Sequence, residues 1–101
     1  IMNKVKYKEF EMVADTRNKN LFDLYRIIRI PEKKKDSNNK LVETGAMKNT
    51  RREIGYSMSI ESCMERIARI LAVENKEVQS LREYIDAFRK ILNDMRKTLQ
   101  V

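Results

Sequence analysis

At Ser59 the hydrophobic period of the chain changes, and that change restricts the folds open to it. Upstream, apolar side chains keep one parity of position over short runs, as in Val5 and Tyr7 or Phe22, Leu24, Ile28 and Ile30. Downstream, Ile60, Cys63, Met64, Ile67, Ala68 and Leu71 recur at steps of three and four. Alternation gives a strand two unlike faces, whereas the longer period draws an apolar stripe along a helix. Within the joint from Glu53 to Ile67, Ser59 is a good helix N-cap, because its hydroxyl can accept from the free N–H groups of the first turn. A chain of 101 residues supports one core. The reading is therefore a single domain over residues 2–101, strand-rich over 2–58 and helical over 59–101. The class is α+β: an antiparallel sheet of three or four strands followed by two C-terminal helices packed on one face.

Taken in order, residues 4–14 read as one strand. Its apolar phase moves from Val5 and Tyr7 to Phe10, Met12 and Ala14, which asks for a bulge or twist near Lys8–Glu9. Asp15 to Asn20 is a polar turn. Leu21 to Ile30 reads as a strand with Tyr25 and Ile27 on its second face; a helix over Leu21–Arg29 stays open, and Pro31 ends the element in either case. Pro31 to Lys40 then forms a loop or hairpin tip. Leu41 to Thr44 opens a third strand that Gly45 breaks or bulges, and Arg52, Ile54 and Tyr56 share one face of a further strand. Arg51, Glu53 and Gly55 take its other face.

The first helical pattern fades at Glu74–Glu77. Ser80 and Glu83 form a capping box. From there Leu81, Tyr84, Ile85, Phe88, Ile91, Leu92, Met95 and Leu99 draw a continuous stripe, expected to supply much of the core. Asp86 with Lys90, and Asp94 with Lys97, have surface-pair spacings. The terminal turn of Met95, Leu99 and Val101 is placed to extend past a small sheet and remain available to a partner.

The residue inventory argues against most catalytic chemistry. There is no histidine, so Ser-His and Cys-His pairs are absent, and with them the commonest general base near neutral pH. Cys63 is the only cysteine and lies on the apolar stripe of the first helix, where it reads as a small core residue. One cysteine without histidine cannot supply a tetrahedral zinc site. Gly45 and Gly55 are the only glycines, which excludes a glycine-rich phosphate loop. Asp23 with Glu32-Lys33 is the only remnant of a carboxylate-metal nuclease arrangement. The chain is expected not to be an enzyme and to need no cofactor or metal. No apolar run approaches the roughly 20 residues of a membrane span, and no secretory signal is evident. Ile1 ahead of Met2 reads as a cloning remnant. With its lone cysteine, the chain is expected in the cytoplasm, that of a host if it is phage-encoded.

The charge is +7 and unevenly placed, with 14 Lys/Arg against 8 Asp/Glu before Met58 closes the strand-rich half, and 8 against 7 after it. A basic balance favours anionic partners, either nucleic acid or an acidic protein surface. Lys33, Lys34 and Lys35 form a run; Lys4, Lys6 and Lys8 share a strand face; Arg51 and Arg52 adjoin a neighbouring strand. Side by side, these segments would make a surface able to follow a phosphate backbone. Tyr7, Tyr25, Tyr56, Phe10 and Phe22 are candidate stacking platforms, against the commoner role of strand aromatics as core.

Two resemblances bear on function. Charged strands running into Ile54-Gly55-Tyr56, then a capped helix as Ser59-Ile60-Glu61 with Met64-Glu65-Arg66-Ile67, then a closing helix over Leu81–Leu99, resemble small phage and prophage accessory proteins over approximately residues 41–95. That resemblance implies a non-catalytic protein that binds and modulates or inhibits a host protein or nucleoprotein complex, for instance in an anti-defence or CRISPR-inhibiting role. The basic charge departs from the acidic nucleic-acid mimics of that group and favours blocking a partner surface. Residues 51–99 also resemble the ribbon-helix-helix family in element order, which implies a DNA-binding dimer. Here the Glu74–Gln79 loop lacks that family's glycine, and strands precede the unit. The expected contact residues are Lys33, Lys34, Lys35, Arg51, Arg52, Lys4, Lys6 and Lys8. The expected partner is an acidic protein surface or nucleoprotein complex, with nucleic acid as the alternative, no membrane, and a dimer left open.

Overall fold

A computed structural model describes residues 4–18 and 20–100; the expectations placed on Ile1 and Val101 lie outside them. Four strands, β1 (Lys4–Tyr7), β2 (Phe10–Ala14), β3 (Phe22–Lys35) and β4 (Leu41–Met58), precede two helices, α1 (Ile60–Glu74) and α2 (Leu81–Leu99). The strands pair antiparallel in chain order β1-β2-β3-β4. Both helices cover one face of this sheet, so the α+β arrangement of a sheet followed by two C-terminal helices is the one found. Among the described residues no helix is long and apolar enough to cross a membrane.

Residues 4–14 form a hairpin instead of one bulged strand. Tyr7 pairs with Phe10 across the two-residue turn Lys8–Glu9, and Lys8 has φ 51°. A positive φ at the first turn residue is what the tight mirror-image hairpin turns require. The phase shift seen in sequence was therefore a chain reversal. It brings Val5 and Tyr7 onto the same buried face as Phe10 and Met12.

Pro31 does not end β3. The N–H of Ile27 donates to the Glu9 carbonyl at 2.7 Å, so the odd positions of β3 direct their N–H groups toward the β2 side. β2 stops pairing at Arg26, which leaves that edge open beyond it. A proline at position 31 therefore withholds a donor that the β3–β4 ladder does not use.

For the same reason Lys33, Lys34 and Lys35 belong to the strand and not to a loop, and the tip is confined to Asp36–Lys40. There Asp36 Oδ1 accepts from the N–H groups of Asn38 and Lys40, both at 2.9 Å, and Asn39 has φ 64°. The two separate strands expected over Leu41–Tyr56 are one. Gly45, φ 84°, sits where β4 carries extra residues between Met47, opposite Pro31, and Glu43, opposite Lys33. A second register shift, between Leu24–Gly55 and Tyr25–Glu53, rotates Tyr56 away from Ile54. Ile54 packs on the core, whereas Tyr56 is exposed beside Glu53.

The core is built differently from the expected division of labour. α1 supplies Cys63, Met64, Ile67, Ala68 and Ala72 as buried residues, while α2 supplies only Met95. These meet Val5, Tyr7, Phe10, Met12, Phe22 and Leu24 from the sheet. The α2 stripe is not continuously buried: Leu81 is 74% exposed and Ile85 38%, whereas Phe88, Ile91 and Leu92 pack against the core. Its far end is the packed one, with Met95 fully buried and Leu99 against the core, so these two residues are not left for a partner. Both N-caps are present. The Ser59 hydroxyl accepts from Ser62 N–H and the Ser80 hydroxyl from Glu83 N–H, each at 3.1 Å.

Candidate functional site

Beyond Ile27, β3 and β4 pair only with each other, so residues 28–50 leave the body as a two-stranded arm. Eight residues of strand at about 3.4 Å each make this arm ~27 Å long before its turn. It carries Arg29, Lys33, Lys34, Lys35, Lys40 and Lys48 against Glu32, Asp36 and Glu43, a formal +3 of the chain's +7. Of these cations only Lys34 has an ion-pair partner among the described residues, Glu32 at 3.6 Å, and its ammonium is well exposed. A surface pair of that length is worth little. The other cations are solvated and extend from both strands.

The remaining expected contact residues do not join this surface. Lys4, Lys6 and Arg51 converge on the uncovered face of the sheet, but around Glu11, whose carboxylate is nearly buried. Lys4 Nζ lies 2.9 Å from Glu11 Oε1, Arg51 Nε 3.1 Å from Oε2, and Lys6 Nζ 4.0 Å from Oε1. The hydrogen-bonded Lys4 ammonium, with Arg51 and Lys6 behind it, holds Glu11 below the usual carboxylate range even though burial pushes it up. Arg51 also lies over the Tyr25 ring, 5.2 Å from its centroid. These three cations are structural partners of one acid. Arg52 stands across from Arg26 on the helix-covered side of the sheet and is exposed at the base of the arm. Lys8 lies over the Tyr7 ring at 5.6 Å and lines a cleft of about 770 Å³ of mixed charge, with Glu83, Asp86 and Asp94 beside Arg89 and Lys90, to which no arm residue contributes.

The aromatic side chains divide in the same way. Phe10 and Phe22 are core. Tyr7 is buried and donates to Asp94 Oδ2 at 2.6 Å; burial first, then that bond and the carboxylate's charge, push its hydroxyl up. Asp94 is thus taken by Tyr7, and neither Asp94–Lys97 nor Asp86–Lys90 closes to an ion pair among the described residues. Tyr56 is exposed, but its surroundings are acidic: its bond to Glu53, with burial and the charges of Glu53 and Asp23, pushes it up to about 12. Asp15 accepts from the Ser57 hydroxyl and Asp23 from its N–H. Negative charge collects there, and positive charge collects on the arm.

Arg29, Lys40 and Lys48 complete the arm's surface and were not among the expected contacts. The signal for them lay in the turn-forming Asp36–Asn39 run, flanked on both sides by residues without a helical period. Cys63 is fully buried, and burial pushes its thiol up to about 11. No protein-family model, curated protein or solved structure matches the chain.

Proposed function

We propose that the chain is a non-catalytic binding protein that grips nucleic acid, free or within a nucleoprotein complex, with its basic β-arm. The observation that carries this reading is the arm itself: a projecting ribbon whose cations are largely unneutralised, whereas Lys4, Lys6 and Arg51 on the body converge on Glu11. Unpaired cations on a protruding element gain by displacing condensed counterions from phosphates, so affinity should fall steeply with salt. The resemblance of residues 41–95 to small phage accessory proteins supports reading such binding as modulation or inhibition of host machinery.

The test is binding of a labelled 30-base-pair duplex across a salt series. Replacing Lys33, Lys34 and Lys35 by Glu should weaken binding and reduce the log–log salt slope by about three, near one per lost phosphate contact. No binding at about 50 mM salt would end the nucleic-acid reading.

A second reading, an acidic protein surface as partner, is favoured by exposed apolar residues among the lysines: Leu41 at 65%, Val42 at 49% and Met47 at 46%. It predicts a defined protein recovered from lysate after nuclease treatment, and loss of that protein with the same Lys33–Lys35 charge reversal.

A further inference from the structure

The arm's shape and composition say which form of nucleic acid it suits, and this inference rests on the nucleic-acid reading above. Single strands are held by aromatic platforms set among cations, because each base offers a π-face for stacking. Residues 28–50 contain no aromatic side chain. The exposed Tyr56 stands on the body beside Glu53 and Asp23, where phosphates are repelled, and Tyr25 is covered by Arg51. The element with free cations therefore lacks stacking groups, and the exposed stacking group near the sheet lacks free cations.

A duplex places different demands on its partner. Two strands about 4.8 Å apart, with the width of their backbones, make a ribbon roughly 10 Å across whose side chains project from its two faces. That width enters the major groove, about 12 Å wide, and not the minor groove, about 6 Å wide. The groove of A-form RNA is too deep and narrow to admit side chains. Arg29, Lys33 and Lys35 of β3 share one face of the ribbon, and Lys34 of β3 and Lys48 of β4 the other, so cations from both strands are available to the two phosphate walls. Leu41 and Met47 are exposed on the same face as Arg29, Lys33 and Lys35 and match the one apolar feature of the major groove, the thymine methyl, whereas Val42, opposite Lys34, is on the other face. We infer that the β3–β4 arm is a major-groove element for double-stranded DNA, seated by its lysines on the phosphates and by Leu41 and Met47 on the groove floor. The arm uses β3 and the first part of β4, ahead of residues 51–58, so both strands of the ribbon come from one chain.

The experiment compares the whole chain binding four labelled probes of one sequence at fixed salt. These are duplex DNA, single-stranded DNA, duplex RNA, and duplex DNA whose cytosines carry glucosylated hydroxymethyl groups that fill the major groove. Duplex DNA should bind at least tenfold tighter than the other three, and netropsin in the minor groove should not displace the protein. Leu41→Ser with Met47→Ser should weaken duplex binding severalfold at an unchanged salt slope, with circular dichroism confirming the fold. Equal or tighter binding to the single strand or to RNA overturns the inference while leaving the nucleic-acid reading intact. Indifference to glucosylation, or displacement by netropsin, does the same. Absence of binding to all four probes removes both.

Discussion

Arg26 donates to both carboxylate oxygens of Glu74, through Nη1 at 2.6 Å and Nη2 at 2.7 Å, and so ties the strand that becomes the arm to the last residue of α1. The same guanidinium reaches Glu9 at 2.9 Å in the first hairpin turn and lies over the Phe10 ring at 5.0 Å. Three segments meet at the last β3 residue that still pairs with β2. Arg26→Ala should lower stability by about 1–2 kcal/mol, since charge-assisted bonds at a partly exposed site are worth less than buried ones. Arg26→Lys should recover only part of the loss, because an ammonium cannot reproduce the planar fork. Urea unfolding is the measurement, read as a lower midpoint at unchanged m-value. An unaltered midpoint in Arg26→Ala would remove this contact from the account of how the arm is anchored.

Glu11 gives the fold a defined response to acid. Its folded pKa lies below the ordinary range, so as pH falls the unfolded chain takes up this proton first. The contribution is complete above the unfolded value of about 4.3 and is lost as pH drops through the folded value. Glu74, held down by its bond from Arg26, adds a contribution of the same sign. Wild-type thermal midpoints should therefore fall between about pH 5 and pH 2. Glu11→Gln should start lower at pH 7, by about 1–3 kcal/mol for three cations left facing a neutral amide, and should then fall less steeply. An acid limb as steep in Glu11→Gln as in the wild type would assign it to other carboxylates.

The helical half was legible because Ser59, Ser80 and the three-and-four spacing are local signals that tertiary context here did not overrule. The strand half was legible in kind but not in connectivity. A two-residue turn made of Lys8 and Glu9 lacks the usual glycine or asparagine, so the first reversal looked like a bulge. Pro31 looked like a stop because whether a strand needs a given N–H depends on where its neighbour ends, and β2 ends before that position. The same ignorance of neighbours hid the site. Arg51, Lys4 and Lys6 carry sequence charge indistinguishable from that of Lys33–Lys35, yet one set closes on Glu11 and the other stays in water.

Cys63 should be chemically silent in the native protein. It is fully enclosed, and burial followed by the charge of Asp23 pushes the thiol up to about 11, which leaves little thiolate at neutral pH. A thiol-reactive disulfide reagent at pH 7.5 should react only on global unfolding, with full reaction in urea. Rapid native labelling would contradict the placement of Cys63 in the core and reopen its candidacy as a reactive group.

The two ends of the α2 stripe should behave oppositely. Met95 has no exposed surface and packs among sheet and α1 residues, so Met95→Ala creates a cavity and should cost about 2–5 kcal/mol. Leu81, three-quarters exposed at the start of the helix, should tolerate Leu81→Ala within about 0.5 kcal/mol. The sequence treats the two as members of one apolar series, so the contrast tests the docking of α2 and not its helicity. Matched urea titrations decide it. A loss on Leu81→Ala comparable to that on Met95→Ala would mean that the first turns of α2 are covered in solution, by the body or by a second copy. Repeating the titrations across a hundredfold range of protein concentration separates those cases, because only association makes the midpoint concentration-dependent.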